Sequence, residues 1–205
     1  MYYPDAVLMI FCKAPIAGQV KTRLMTALSA EQARQAHIEL SEATFNMATQ
    51  SALCSVQLWC APTPTHPFFT TAAQRYALTL WQQHGADLGA RMHHAFETAL
   101  AHYAKAIIIG CDCPSLTAAD INHALTALTN ANTLVLAPAE DGGYTLIGLN
   151  KPQPALFTNM LWGTHQVLTQ TQHRAAQLGV NYHQLRQQWD VDTPEDWARY
   201  RALTC

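Results

Sequence analysis

The sequence predicts an α/β fold, a mostly parallel mixed sheet flanked by helices, in one domain spanning residues 1–205. Three observations predict it. Strand-sized apolar runs recur, and several are continuous rather than alternating, as in strands buried on both faces. Segments with apolar residues at helical spacing separate them. Cap and turn residues punctuate the borders. Strands alternating with helices imply crossover connections and parallel pairing; strand order stays open.

The first strand is residues 6–12, AVLMIFC. Ser29 with Gln32 three residues on forms a capping-box pattern, and Ala36, Leu40, Ala43 and Met47 fall on one face of the helix that follows. A second strand at 56–60 runs into a proline-punctuated loop at 61–67, then a short helix at 69–76 and a third strand at 78–81. The loop HGADLGARM (84–92) leads to a helix that presents Met92, Phe96, Ala99 and Tyr103 together. Residues 106–110 form the fourth strand, and Thr117 with Asp120 caps the next helix. A fifth strand spans 133–137, and a sixth, 143–149, belongs to a hairpin or mixed region because Gly142 and Gly143 precede it. Residues 164–178 read as a helix closed by Gly179, 180–185 as a strand, and Thr193, Pro194 and Asp196 open the last helix.

Composition excludes several functions. Charged residues make up 13% of the chain, against a usual figure near 25%, and the formal charge is −2. A basic nucleic-acid binder is excluded. No apolar run approaches the roughly 18–20 residues of a membrane span, and no secretory signal pattern is visible. A soluble, cytoplasmic protein is expected. Cys12, Cys54, Cys60, Cys111, Cys113 and Cys205 make no C-x-x-C pair. The first three read as buried thiols; Cys111 and Cys113 flank Asp112, as core thiols or as ligands of a soft metal.

In open α/β sheets ligands bind beyond the carboxyl ends of the strands, so the polar residues there are the candidates. Two of only four lysines, Lys13 and Lys21, follow the first strand, with Gly18, Thr22 and Arg23. Such a loop suits phosphate oxygens, although neither the P-loop nor the dinucleotide glycine pattern is met. Asp112 follows the fourth strand, where a carboxylate can hold Mg²⁺ or start a helix. Glu140, Asp141, Gly142 and Gly143 follow the fifth; the glycines allow either close backbone approach or a hairpin turn. Asp190 and Asp192, two apart in an extended segment, point the same way. They can join Asp112 at a metal, or Asp192 can charge the last helix's N-terminus.

The runs FCKAPIAGQVKTRL, GADLGARM, GCDCPSL, APAEDGGYTLIGL, WGT and DVDTPEDW, in this order from Phe11 to Trp197, resemble the GT-A-like proteins of the nucleotide-diphospho-sugar transferase superfamily. Within it they are most similar to the radical-SAM/selenodomain-associated, arsenosugar-biosynthesis glycosyltransferase-like group. Similarity extends to phospholactate guanylyltransferase and, more remotely, to molybdenum-cofactor guanylyltransferase. The resemblance implies a Rossmann-like GT-A fold, with Lys13, Lys21 and Arg23 facing nucleotide phosphates. It implies that residues 85–91, including Gly89 and Arg91, lie near base and ribose, and that Asp112 binds the metal. The D-x-D of many glycosyltransferases is here Cys-Asp-Cys, so metal binding rests on Asp112 plus a distant partner, for which Asp190 and Asp192 are the candidates.

Three functions remain open. Glycosyl transfer from a nucleotide sugar would use Mg²⁺ or Mn²⁺ at Asp112, Asp141 to activate a small acceptor's hydroxyl, and the glycine pair with Tyr144 and Trp162 as the acceptor's binding surface. Tyr144 and Trp162 read equally as core aromatics. Nucleotidyl transfer from a nucleoside triphosphate would use Lys21 and Arg23 against the leaving pyrophosphate. The third is an inert nucleotide-binding regulator. A homodimer is compatible with the sequence; nucleic-acid and membrane partners are not expected.

Overall fold

A computed structural model describes residues 2–129 and 132–204; Cys205 lies outside the described residues. Seven strands form one sheet: β1 (Ala6–Lys13), β2 (Ser55–Ala61), β3 (Thr79–Gln82), β4 (Lys105–Ile109), β5 (Thr133–Pro138), β6 (Tyr144–Leu149) and β7 (Asn181–Gln184). Their spatial order is β3-β2-β1-β4-β6-β5-β7. All neighbours are parallel except β6, which runs antiparallel to both β4 and β5. The expected mostly parallel, mixed sheet is therefore present. The chain leaves β1 towards one edge and returns beside it as β4, which opens a crevice where their carboxyl ends diverge.

Among the described residues, six α-helices flank the sheet: α1 (Ala30–Gln50), α2 (Pro67–Tyr76), α3 (Leu88–Leu100), α4 (Ala118–Ala127), α5 (Val167–Gln177) and α6 (Pro194–Thr204). Alternate residues of β1 serve opposite faces. Leu8 and Ile10 pack with Phe45 of α1, Phe69 of α2 and Ile121 of α4. Val7 and Met9 pack with Met92 and Phe96 of α3 and Ala175 of α5. Such two-sided burial explains the unbroken apolar run. A smaller third cluster joins Leu24, Ala33, Ala36 and Leu40 to Trp189, Val191 and Tyr200. It clamps the basic loop against the segment carrying Asp190 and Asp192. Among the described residues, no helix is long and apolar enough to cross a membrane.

Both capping boxes form: Ser29 accepts from the Gln32 amide, and Asp120 accepts from the Thr117 amide at 2.8 Å. Several sequence expectations need correcting. In α1, Ala43 is exposed and Met47 half-buried; the buried stripe passes through His37, Ser41, Thr44 and Phe45. Ser41 and Thr44 donate to the carbonyls of His37 and Leu40 at 2.7 and 3.1 Å, which lets polar side chains enter a core face. Helix α3 starts at Leu88, inside the expected loop, because Asp87 accepts from the Ala90 amide at 2.8 Å and caps it. It ends at Leu100, before Tyr103, which lies just beyond the turn at 101–102. Helix α5 starts at Val167 rather than 164, without a side-chain cap.

Candidate active site: basic loop and carboxylate triad

The crevice between β1 and β4 holds a cavity of about 530 Å³, lined among others by Phe11, Lys13, Lys21, Arg23, Arg91, Asp112 and Asp192. The loop after β1 turns at Gly18 (φ +78°) and again at Lys21, whose φ of 48° is also left-handed. Gly18 itself does not line the cavity; its contribution is the turn.

Lys21 departs from expectation. Its side chain is 5% exposed and points inward. Its Nζ donates to Asp112 Oδ2 at 2.7 Å, to the Val191 carbonyl at 2.6 Å and to Asp192 Oδ1 at 3.3 Å. Those bonds use all three ammonium protons, so Lys21 serves as an internal counter-ion rather than as a phosphate ligand. Burial works against its charge, but the Asp112 and Asp192 carboxylates outweigh that and raise its pKa. Burial likewise opposes ionisation of Asp112, and Lys21 reverses this, holding the carboxyl below its usual range. Arg23 donates to Asp192 Oδ2 at 2.9 Å and leaves its other donors exposed. Lys13 is exposed at the cavity rim, with Thr22 also exposed nearby. Arg91 donates to the Gly85 carbonyl at 3.1 Å.

Carboxylate oxygens of Asp112, Asp190 and Asp192 lie within 4.8 Å of one another. Gly110 allows this placement, since a Cβ there would stand 2.8 Å from Asp112 Oδ1. Among the described residues, nothing donates a hydrogen bond to Asp190. Burial, then the charges of Asp112, Asp192 and Asp141, push its pKa up to about 7. A hard oxygen donor set with one carboxylate short of positive charge fits a divalent ion such as Mg²⁺ or Mn²⁺.

A second, apolar pocket of about 210 Å³ adjoins the first and shares Phe11, Leu88 and Gly110 with it. Asp141, Gly143, Tyr144 and Trp162 line it. Asp141 Oδ1 accepts from the Gly143 amide at 2.9 Å, and Asp141 is exposed. Trp162 Nε1 is buried without an acceptor among the described residues.

Two glycines expected at ligands face protein instead. A Cβ on Gly89 would lie 2.7 Å from the Phe157 carbonyl and 2.8 Å from the Trp162 ring. A Cβ on Gly142 (φ +88°) would strike the His165 carbonyl. Both residues serve close packing rather than ligand approach. Sequence reading missed Gly110 and Asp87, whose local signals, a strand-ending glycine and an N-cap acid, were present.

A model of the family described as "Uncharacterized protein conserved in bacteria (DUF2064)" matches residues 44–164, more than half of the chain. The chain belongs to the DUF2064 family. This DUF2064 protein is similar in structure to a candidate nucleotide-diphospho-sugar transferase from Desulfovibrio desulfuricans G20, with 26% identity, a TM-score of 0.87, and coverage of 98% of this chain and 88% of the other. Two more distant likenesses concern the fold alone. One is CMP:2-keto-3-deoxy-manno-octonic acid synthetase in complex with CTP (12% identity, TM-score 0.63, 98% of each chain). The other is a nucleotidyl transferase from Methanothermobacter thermautotrophicus (11%, 0.63, 97% of each chain). No curated protein matches the DUF2064 sequence.

Proposed function

We propose that this DUF2064 protein is a one-domain, metal-dependent transferase that moves a glycosyl group from a nucleotide-diphospho-sugar to a small acceptor, as in the arsenosugar-type group its motifs resemble. The observation that carries this reading is the triad of Asp112, Asp190 and Asp192 at the switch point, sharing one crevice with the side chains of Lys13, Arg23 and Arg91.

Asp112, Asp190 and Asp192 are the residues that would hold the ion. When bound, Mg²⁺ or Mn²⁺ neutralises charge on the departing diphosphate. Lys13, Arg23 and Arg91 bind the phosphate oxygens from the open side of the crevice. Lys21 keeps Asp112 ionised and holds Asp112 and Asp192 in place. The apolar pocket takes the acceptor against Tyr144 and Trp162, away from water. Asp141 keeps Oδ1 on the Gly143 amide and receives the acceptor's hydroxyl proton on Oδ2. The acceptor oxygen bonds to the anomeric carbon as the bond from that carbon to the phosphate oxygen breaks, and the nucleoside diphosphate leaves.

Nucleotidyl transfer loses some physical support, because Lys21 is committed to carboxylates and has no proton left for a leaving pyrophosphate. The products separate the two reactions. Incubation of the chain with nucleotide sugars or nucleoside triphosphates and Mg²⁺ or Mn²⁺ should release a nucleoside diphosphate from the sugar donor, and Asp112→Asn should abolish it. Pyrophosphate release from a triphosphate would establish the nucleotidyl reaction instead. Nucleotide binding with neither product would leave the reading as an inert nucleotide-binding regulator.

A further inference from the structure

Beneath the carboxylate triad lies a second group of donors with different chemistry. Cys12 sits near the end of β1, Cys111 two residues beyond β4, and His37 on the inner face of α1. The β1–β4 register pairs Ile10 with Ile109; continued two residues, it brings Cys12 beside Cys111. One ligand atom from each of Cys12, His37 and Cys111 falls within 4.8 Å of the other two. The three residues are 1%, 5% and 5% exposed, yet all line the main cavity, so they form its floor and are reached from it.

The spacing suits a tetrahedral ion. Bonds of about 2.3 Å to sulfur and 2.0–2.1 Å to nitrogen require sulfur and nitrogen about 3.5 Å apart. Cys12 Sγ and His37 Nε2 are 3.8 Å apart. The Lys13 carbonyl oxygen, 2.9 Å from His37 Nε2 and 3.4 Å from Cys12 Sγ, stands where a fourth donor would. The other cysteines offer a contrast inside the same molecule. Cys54 and Cys60 are buried and, among the described residues, join no such group of ligand atoms; Cys60 donates to the Leu58 carbonyl at 3.5 Å. Cys113, the other thiol flanking Asp112, lies near Ser115 Oγ, at 3.5 Å.

We propose that Cys12, His37 and Cys111 bind one Zn²⁺ ion, at a site separate from the carboxylate triad. Two thiolates and a neutral imidazole are the soft donors that Zn²⁺ selects, whereas Mg²⁺ selects oxygen. Zn²⁺ with two thiolates carries no net charge, so the occupied site adds no repulsion against a second cation at Asp112. The ion ties the ends of β1 and β4 to α1 directly under Asp112, which follows Cys111 in the chain. Binding releases the two thiol protons to solvent, while the proton that His37 Nε2 shares with the Lys13 carbonyl moves to Nδ1, so the imidazole binds in its neutral form.

The test is metal analysis of the full chain dialysed against Zn²⁺ and Mg²⁺, together with absorption of the Co²⁺-loaded protein. About one zinc per chain is expected, with a thiolate-to-cobalt charge-transfer band and strong tetrahedral d–d bands. The Cys12→Ser, Cys111→Ser double variant should bind under a tenth as much zinc, on the order expected when two ligands are lost. Cys54→Ala and Asp190→Asn should keep it. Should the double variant fail to fold, the wild-type cobalt spectrum decides alone. Absence of the charge-transfer band, or zinc lost with Asp190→Asn and kept in the cysteine variant, would overturn the proposal.

Discussion

Lys21 and Asp190 illustrate what charge does at single positions in a chain with so little of it. Lys21 is a buried cation between two carboxylates that are about a third exposed, at 34% and 36%. Lys21→Met leaves them facing each other and Asp190. Breaking a fully buried pair costs about 3–5 kcal/mol, and solvent screening at these carboxylates lowers the expected loss to about 2–3 kcal/mol. Urea unfolding in chelator should report it, and added Mg²⁺ should restore more stability to the variant than to the wild type. If Mg²⁺ restores nothing, the triad does not bind a cation. Asp190→Asn should do the reverse, because it removes a desolvated carboxylate that no described group donates to. In chelator its unfolding midpoint should exceed that of the wild type, and Mg²⁺ should remove the advantage. A lower midpoint in chelator would contradict the repulsion argument.

At the scale of elements, the two glycine contacts show where reading by pattern stops. Gly89 sits in helix α3, where alanine would gain up to about 1 kcal/mol in helix propensity. Its Cβ would meet a main-chain carbonyl of Phe157, which cannot rotate away, and overpacking of this kind costs about 1–3 kcal/mol. Gly89→Ala should therefore destabilise the protein and change Trp162 fluorescence; a stabilised variant would show that Phe157 yields. A glycine opened for a ligand and one opened for a neighbouring chain look alike in sequence, since the partner is 68 to 73 residues away. Capping boxes were legible because both partners lie within three residues. The partner of Asp120 across the fold was not: Arg186 donates to Asp120 Oδ1 and Oδ2 at 2.7 Å, tying α4 to the segment after β7. Burial raises the Asp120 pKa, and the hydrogen bonds from Arg186 and Thr117 outweigh it, leaving the carboxyl lowered. A lowered carboxyl stabilises the fold fully above the unfolded value of about 3.9 and loses that contribution as pH falls through the folded one. Asp120→Asn should thus cost about 2–3 kcal/mol at pH 7, and denaturant midpoints of variant and wild type should converge at acid pH. A gap independent of pH would assign the loss to packing.

For the whole molecule, continuous apolar runs made the parallel strands legible and Gly142–Gly143 signalled the antiparallel hairpin of β5 and β6, while the place of β6 between β4 and β5 was not legible, since strand order depends on contacts far apart in the chain. The candidate site behaves the same way. Its acids and bases were identifiable as strand-end residues. Their pairing was not, because Lys21 reaches Asp112 and Asp192 across 91 and 171 positions. What the topology assembles is a crevice lined by an anionic triad and a cationic rim; on the proposed reading neither alone holds a nucleotide well, because the triad would repel phosphate until a cation is bound. Mg²⁺ and a nucleoside diphosphate should therefore stabilise the chain cooperatively. At a hundredfold excess over the dissociation constant, binding to the native state adds about 2.7 kcal/mol, which for a chain of this size raises Tm by about 5–10 °C. Each ligand alone should give far less, and Asp112→Asn should remove the cooperative part while Cys54→Ala retains it. Thermal shifts that simply add, or that survive in Asp112→Asn, would separate the nucleotide site from the carboxylate triad and sink the metal-assisted reading.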